Sequence, residues 1–489
     1  MIADFYDRSD LPQGHSIKRT NSYTDTYIEI DNDNDNGIDI GNDKDNDNND
    51  GNDDDDGSES KTPTSLTSRT YSHSFNQSLS VGSLPATLKT LEFGKQFNRI
   101  VEAGHLPQSL VSLTFGDQFN QPLLHDSLPA SMTSLKFGRD FNQTVEGVLP
   151  RSLIILTFGR NFSFPLPPDT LPPTLKQLFI GADYFHELTV GSLPTSLASL
   201  TFDQNYTMTI VPGVLPNSLT KLILGDSNMT LEPGLLPQSL THADLGGIDE
   251  GIKPGSLPLT LKTLVIGYYF NKPLAKGVFP QGLTSLKIGD NFTKPLMVGV
   301  LPSTLTSLEL GQNFDRPLSR GVLPASITHL TLGQYFYSEV DFPSRLQSLT
   351  IYSPNQIHLA KFAPYSLETL TITYCQLKGK RSLPNLSSMV NLKNLALGTT
   401  YSFQQAPKAA IIDTIQRQLV QILVSIVPDV ENYQTTFTSP RYSFVHRVIN
   451  FRLLNPTTVL CIQERRATSS DAYVSPFHLL TLTDVQMDD

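Results

Sequence analysis

Apolar residues recur in this chain at fixed distances from a repeated Leu-Pro pair. The prolines stand at 85, 107, 129, 150, 172, 194, 216, 237, 258, 280, 302 and 324, in steps of 21 or 22 residues, with Phe279 in place of the Leu before Pro280. A degenerate copy starts at Pro63, with Leu66, Tyr71, Phe75 and Asn76 in phase, and weaker copies follow Pro343 and Pro364. A fixed period in this range marks a solenoid, in which each turn buries its apolar face against its neighbours. Counted from the proline, the third residue is always apolar, as in Leu88, Leu110 and Met132. The sixth is Leu in every clear copy but one, where Ala243 stands. The eighth is apolar throughout, from Phe93 early to Leu332 late. A Gly follows in eleven of the twelve copies, with Asp203 the exception, and the twelfth place holds Phe or Tyr in ten.

Places six and eight are two apart and point the same way from an extended segment, so places five and seven face outward. The pattern predicts one short strand per turn, stacked into a parallel sheet at roughly 4.8 Å per turn. Pro fixes its own φ and holds the preceding Leu extended. The Gly after the strand is expected to end it by adopting a conformation closed to other residues, and the later aromatic to fill the far side of the coil. A lone turn cannot bury enough apolar surface to offset the entropy of ordering it, so the copies must come in series and the ends need caps.

The repeated core L-x-x-L-x-[FL]-G-x-x-F-N-x-P-L, seen in LVSLTFGDQFNQPL (110–123) and LTSLKIGDNFTKPL (283–296), resembles the FNIP repeat. That family is named for its Phe-Asn-Ile-Pro signature, is abundant in social amoebae and some large viruses, and is related to leucine-rich repeats. The resemblance runs over residues 63–375 and implies a leucine-rich-repeat-like solenoid. Some members carry an F-box ahead of the repeats and act as substrate receptors of a ubiquitin ligase; residues 1–62 show no F-box pattern. The usual asparagine place of a leucine-rich repeat, eleven after Pro, holds Gln96, Gln118, Asp140, Asn161 and even Ile248, so a broken asparagine ladder is expected.

The flanks read differently. Residues 1–62 read as an Asp/Asn-rich tail, with few apolar side chains over 31–57, and are expected to be disordered. The repeat solenoid is expected over 63–402, with SMVNLKNLALG (388–398) supplying a last turn. A small α+β cap is expected over 403–489. In it Ile412, Ile415, Leu419, Ile422, Leu423 and Ile426 recur at helical spacing, and 442–454 and 457–463 read as strands joined at Asn455-Pro456 as a hairpin. Such a cap would cover sheet backbone left open at the solenoid end.

Charge changes the picture in one place. Of the formal −11 of the 489-residue chain, all falls on residues 31–56, which hold 12 Asp and one Lys; the rest has 35 acidic and 35 basic residues. An electrically balanced body lacks the basic footprint of a nucleic-acid binder. No stretch approaches the roughly 18 apolar residues of a membrane span, and the first residues show no secretory h-region. Cys375 and Cys461, the two cysteines, read as buried thiols of a reducing interior, which places the protein in the cytoplasm and leaves the seven Asn-x-[Ser/Thr] sequons unmodified. The Asp-Asn alternation of the tail does not meet the calcium-loop pattern, because Asn32, Asn34 and Asn36 stand at its ligand places and no Glu closes it.

Any chemistry must sit on the outward places, since the core dictates the others. Place seven varies in size and charge, and in mid-chain it carries Phe179, Thr201, Ile223, Asp244, Val265, Lys287 and Glu309, with His242 at place five. Phe179, Ile223 and Val265 form a candidate apolar patch. These eight are the candidate partner-binding residues. His242 and Asp244 are spaced to orient an imidazole, but no Ser, Cys or second carboxylate is placed to complete a nucleophilic or metal site. The sequence therefore points to a non-enzymatic protein-interaction scaffold that needs no cofactor and no metal. The alternatives are a ubiquitin-ligase substrate adaptor and a polysaccharide-active β-helix enzyme, for which Glu92, Asp244 and Glu309 are the isolated outward carboxylates.

Overall fold

Each Leu-Pro pair starts a turn of the coil. The carbonyl of Pro85 accepts the N–H of Leu88 at 3.1 Å, and the same bond recurs down to Pro364 and Leu367 at 3.0 Å. This tight turn delivers the chain into a short strand at places five to seven or eight. The computed structural model describes residues 66–203, 206, 208–225, 231–246, 248, 251–360, 362–375 and 392–400, with the backbone of four further strands between 432 and 481. The acidic tail and the apolar stretch from Ile412 to Ile426 lie outside the described residues.

Fourteen strands of three or four residues, from β1 (Ser68–Thr70) to β14 (Ser348–Ile351), are followed by the seven-residue β15 (Thr369–Cys375) and β16 (Asn394–Thr400). Each pairs in parallel with the strand before and the strand after it, and equivalent places meet: Leu91 opposes Leu113, and Leu113 opposes Leu135. The sheet is thus one parallel ladder of sixteen turn strands, built from the degenerate first copy, the twelve clear copies and the weak final ones. Place six is buried along the whole row, from Leu91 at 0% exposure through Ala243 at 3% to Leu330 at 1%, while places five and seven are half-buried or exposed.

The two glycine places of a turn work for different reasons. The glycine after the strand has an ordinary φ in most copies; what it supplies is room. A Cβ on Gly116 would land on the carbonyl oxygen of Gly94, and one on Gly138 on that of Gly116. This corrects the expectation that this glycine ends the strand through its φ: the turns stack so closely that no side chain fits between them. Positive φ belongs to another place, three residues before each proline, where Gly104 has φ 84° and Gly321 has 82°. Asp126 (59°) and Asp169 (66°) are the non-glycine residues there, and Asp tolerates the left-handed region better than most.

The aromatic places stack ring on ring in two runs. Within a turn, Phe115 and Phe119 lie 3.8 Å apart and 10° from parallel; between turns, Phe119 and Phe141 lie 6.0 Å apart at 5°. The double column runs from Tyr71 and Phe75 to Phe202 and Tyr206, with leftover gaps only where Ile180 replaces a ring. A single column resumes over Phe270, Phe292, Phe314 and Phe336. It ends on Gln356, fully buried in a 3-10 turn (Pro354–Gln356) that leads into the one-turn helix α1 (Ile357–Ala360). The Gln356 Nε2 donates to the carbonyls of Gly333 at 2.7 Å and Phe336 at 2.9 Å, and its Oε1 accepts the N–H of Tyr352 at 2.8 Å.

An asparagine ladder exists, two places later than expected. The Oδ1 of Asn76 accepts the N–H of Asn98, Asn98 that of Asn120, and Asn120 that of Asn142, at 2.9–3.1 Å. The expected place, eleven after Pro, needs no such side chain, because its N–H already reaches the previous turn: Gln118 donates to the Lys95 carbonyl at 2.9 Å. A second polar ladder runs along place two, where Ser109 Oγ donates to the Leu88 carbonyl at 2.6 Å and Ser326 Oγ to that of Leu305 at 2.6 Å.

Beyond β16 the sheet continues. β17 (Asn432–Thr438) adds in parallel, then β18 (Arg447–Asn455), β19 (Thr458–Arg465) and β20 (Phe477–Thr481) pair antiparallel in sequence order. β18 and β19 form the hairpin that the Asn455-Pro456 punctuation suggests; β17 and β20 have no counterpart in the sequence reading.

Candidate partner-binding face

Parallel pairing brings the outward residues of place seven into a single row. Phe179 opposes Thr201, Thr201 opposes Ile223, and Ile223 opposes Asp244. Asp244 opposes Val265, Val265 opposes Lys287, and Lys287 opposes Glu309. Seven of the eight candidates are therefore consecutive on one line. His242 lies in the parallel row of place five, between Lys221 and Thr263.

The row has three chemical zones. At its start Phe179 and Ile223 are half-buried beside Thr201, whose hydroxyl is shut off from solvent with no hydrogen-bond partner among the described residues. Thr201 thus stands between two large apolar neighbours in the row, with its hydroxyl withdrawn from solvent. In the middle, the Asp244 Oδ1 accepts the N–H of Gly246 at 3.4 Å, just past the strand end. His242 is exposed, and its Nδ1 lies 2.9 Å from the Thr241 hydroxyl. At the far end the Lys287 ammonium meets the Glu309 carboxylate at 2.9 Å, with side-chain exposures of 37% and 44%. An exposed pair of this kind contributes at most about 1 kcal/mol to stability.

Beside this row the fourth place forms a threonine ladder. Thr306 Oγ1 donates to the Thr284 carbonyl at 3.0 Å and Thr328 Oγ1 to that of Thr306 at 3.2 Å. These hydroxyls close on the sheet's own backbone, a feature that the alternation of core and outward places does not announce.

The strongest electrostatic perturbations lie away from this face. Burial pushes the Tyr184 phenol up to about 12 and raises that of Tyr206 as well, both within the aromatic column. Burial would raise the Asp315 carboxyl, but hydrogen bonds from the backbone of Tyr337 and Ser338, with Arg316 nearby, hold it below the usual range. Among the described residues no group of three or more His, Cys, Asp or Glu is placed to hold a metal ion, and no helix is long and apolar enough to cross a membrane.

The sequence pattern of the FNIP Repeat family matches residues 63–227 and 249–335 in nine overlapping copies. The turn it leaves out, 228–248, is bounded by Asn228 and Asp249, the two residues that replace the ring at place twelve. Among solved structures the chain is similar to one described as the crystal structure of CroV588, a novel circular leucine-rich-repeat protein. The two are 31% identical with a TM-score of 0.57, over 77% of this chain and 60% of that one. The chain thus spans less than two thirds of that protein's length. No curated protein matches. With the repeat matched over more than half its length, and with the stacked glycine, ring and Asn rows in place, the chain belongs to the FNIP repeat family.

Proposed function

We propose that this protein is a non-enzymatic interaction scaffold that binds a protein partner along its outward strand rows, centred on Phe179, Ile223 and Asp244. The observation that carries this reading is the single row from Phe179 to Glu309, where half-buried apolar residues are followed by a carboxylate and then by a charge pair. Stacked repeats present such rows as one continuous surface, and interfaces of this type gain affinity from a few apolar anchors while surrounding polar groups set register. A parallel ladder has no open edge along its length, so the partner would be recognised by side chains and not by strand addition. A neutral body and an apolar anchor both favour protein over nucleic acid. The reading also keeps the protein in the cytoplasm, on the strength of its two isolated cysteines.

The test is a pull-down from the protein's own cell type with intact chain and with a triple variant, Phe179→Ser, Ile223→Ser and Asp244→Lys. Retention of the partner should fall at least tenfold, about 1.4 kcal/mol or more, while Val81→Ser/Val190→Ser, exposed on the glycine turns, retains it. A partner held equally by all three proteins would defeat the assignment.

A further inference from the structure

Charge is sorted along another surface of the coil. By sequence, the arc from place thirteen to the next repeat proline is acidic in the eight turns from 98 to 257, with seven acidic residues against Arg99 and Lys253. In the next three turns (271–279, 293–301 and 315–323) it carries Lys272, Lys276, Lys294, Arg316 and Arg320 against a single acid, Asp315. One turn later the sign reverses again, with Glu339 and Asp341.

Lys272, Lys294 and Arg316 occupy the same place in consecutive turns whose strands pair in register, so neighbours are separated by roughly one strand spacing, about 4.8 Å. Lys276 leans across onto the next turn, its Nζ 3.8 Å from where a Cβ on Gly299 would stand. Lys294 is half-buried and the other four are exposed. Among the described residues none of the five joins an ion pair, whereas Lys253 and Lys287 pair with Glu232 and Glu309. Asp315 is the one carboxylate among them; its Oδ1 accepts the N–H groups of Tyr337 at 3.0 Å and Ser338 at 2.8 Å, and the five cations outnumber it. Like charges this close repel one another. In their midst Met297 and Val298 are 63% and 64% exposed, at the places that hold Ala275-Lys276 and Ser319-Arg320 in the flanking turns.

We propose that this arc is a second docking surface, independent of the strand rows, for an acidic polypeptide segment that sets carboxylates against the five cations and an apolar side chain on Met297 and Val298. Charge complementarity selects an anionic partner. The shape of the patch selects a peptide: the cations span only three turns, about 10 Å, with acidic arcs on both sides that would repel a longer phosphate track. The exposed apolar centre, Met297 and Val298, is aliphatic and thioether, which suits an apolar side chain of the peptide; the exposed Tyr337 stands one turn beyond the last cations, with its N–H on Asp315.

The test is fluorescence anisotropy with the full chain and a labelled 15-residue peptide of Glu and Leu. Lys272→Glu/Lys276→Glu, both exposed and, among the described residues, neither in an ion pair, should weaken binding at least tenfold without moving the melting temperature. Lys89→Glu/Lys176→Glu, equal in charge change but on the strand side, should change it less than threefold. Binding should weaken as salt rises from 50 to 300 mM. Absence of peptide binding, equal loss in both double variants, or preference for a single-stranded oligonucleotide of equal charge would each overturn the proposal. So would a salt-sensitive dimer of the chain alone that Lys272→Glu/Lys276→Glu abolishes, since the occupant would then be the acidic arc of a second copy.

Discussion

At place nine a hydrogen atom is all that fits in most turns, Asp203 being the exception, whereas three residues before the repeat prolines the backbone conformation matters most. The difference predicts unequal costs for the same substitution. Gly116→Ala would drive a methyl group into the Gly94 carbonyl and force two turns apart, costing about 3 kcal/mol. Gly147→Ala, with nothing within 4 Å of the new atom, should cost only the strain of a positive φ, about 1–2 kcal/mol. Urea unfolding of the two variants measures this, and equal costs would contradict the close-stacking account. The sequence shows that glycine recurs at both places but not why, because the space between adjacent turns is a property of the stack and not of any one copy. The asparagine row carries the same lesson: Asn98 and Asn120 are plain in the sequence, but their partners are backbone groups one turn away.

The turns are held as elements by columns, among them the stacked rings. Phe141 is fully buried and lies 3.8 Å from Phe137, 6.0 Å from Phe119 and 6.3 Å from Phe162. Phe141→Ala should cost about 3–5 kcal/mol in chemical denaturation, and a loss near 1 kcal/mol would show that the rings do not form one continuous core. Strands, core places and the aromatic filling were legible because their periods, two within a strand and 21 or 22 between turns, act together. The serine and threonine at place two were not singled out, although they stand in eleven of twelve copies; a short hydroxyl beside a proline reads as a turn residue until its acceptor is seen. The buried Gln356 and α1 were also missed, since one polar side chain ending a column leaves no periodic trace.

For the molecule as a whole, a stack of nearest-neighbour turns should respond to pH through its buried groups. The folded Tyr184 phenol titrates at about 12, above its ordinary value near 10, and that of Tyr206 is raised too. The stability they contribute is therefore complete below pH 10 and is lost as pH rises from 10 through about 12. Tyr184→Phe/Tyr206→Phe should shift the alkaline unfolding midpoint upward in a circular-dichroism titration; an unchanged midpoint would remove these phenols from the account. The solenoid was legible at this scale, and so was the hairpin after Asn455. The row proposed as a binding face was legible residue by residue, but the withdrawal of the Thr201 hydroxyl from solvent was not. The sorted charge of the outer arc was invisible in a body whose total is balanced. The central claim is that partners meet the outward strand rows, and a photo-crosslinking scan around the coil tests it most directly. Crosslinkers at Thr263 and Val265 should capture the partner, with at least tenfold lower yield at Val190 and Val211 on the glycine turns. Equal yields, or a maximum at the glycine turns, would contradict it.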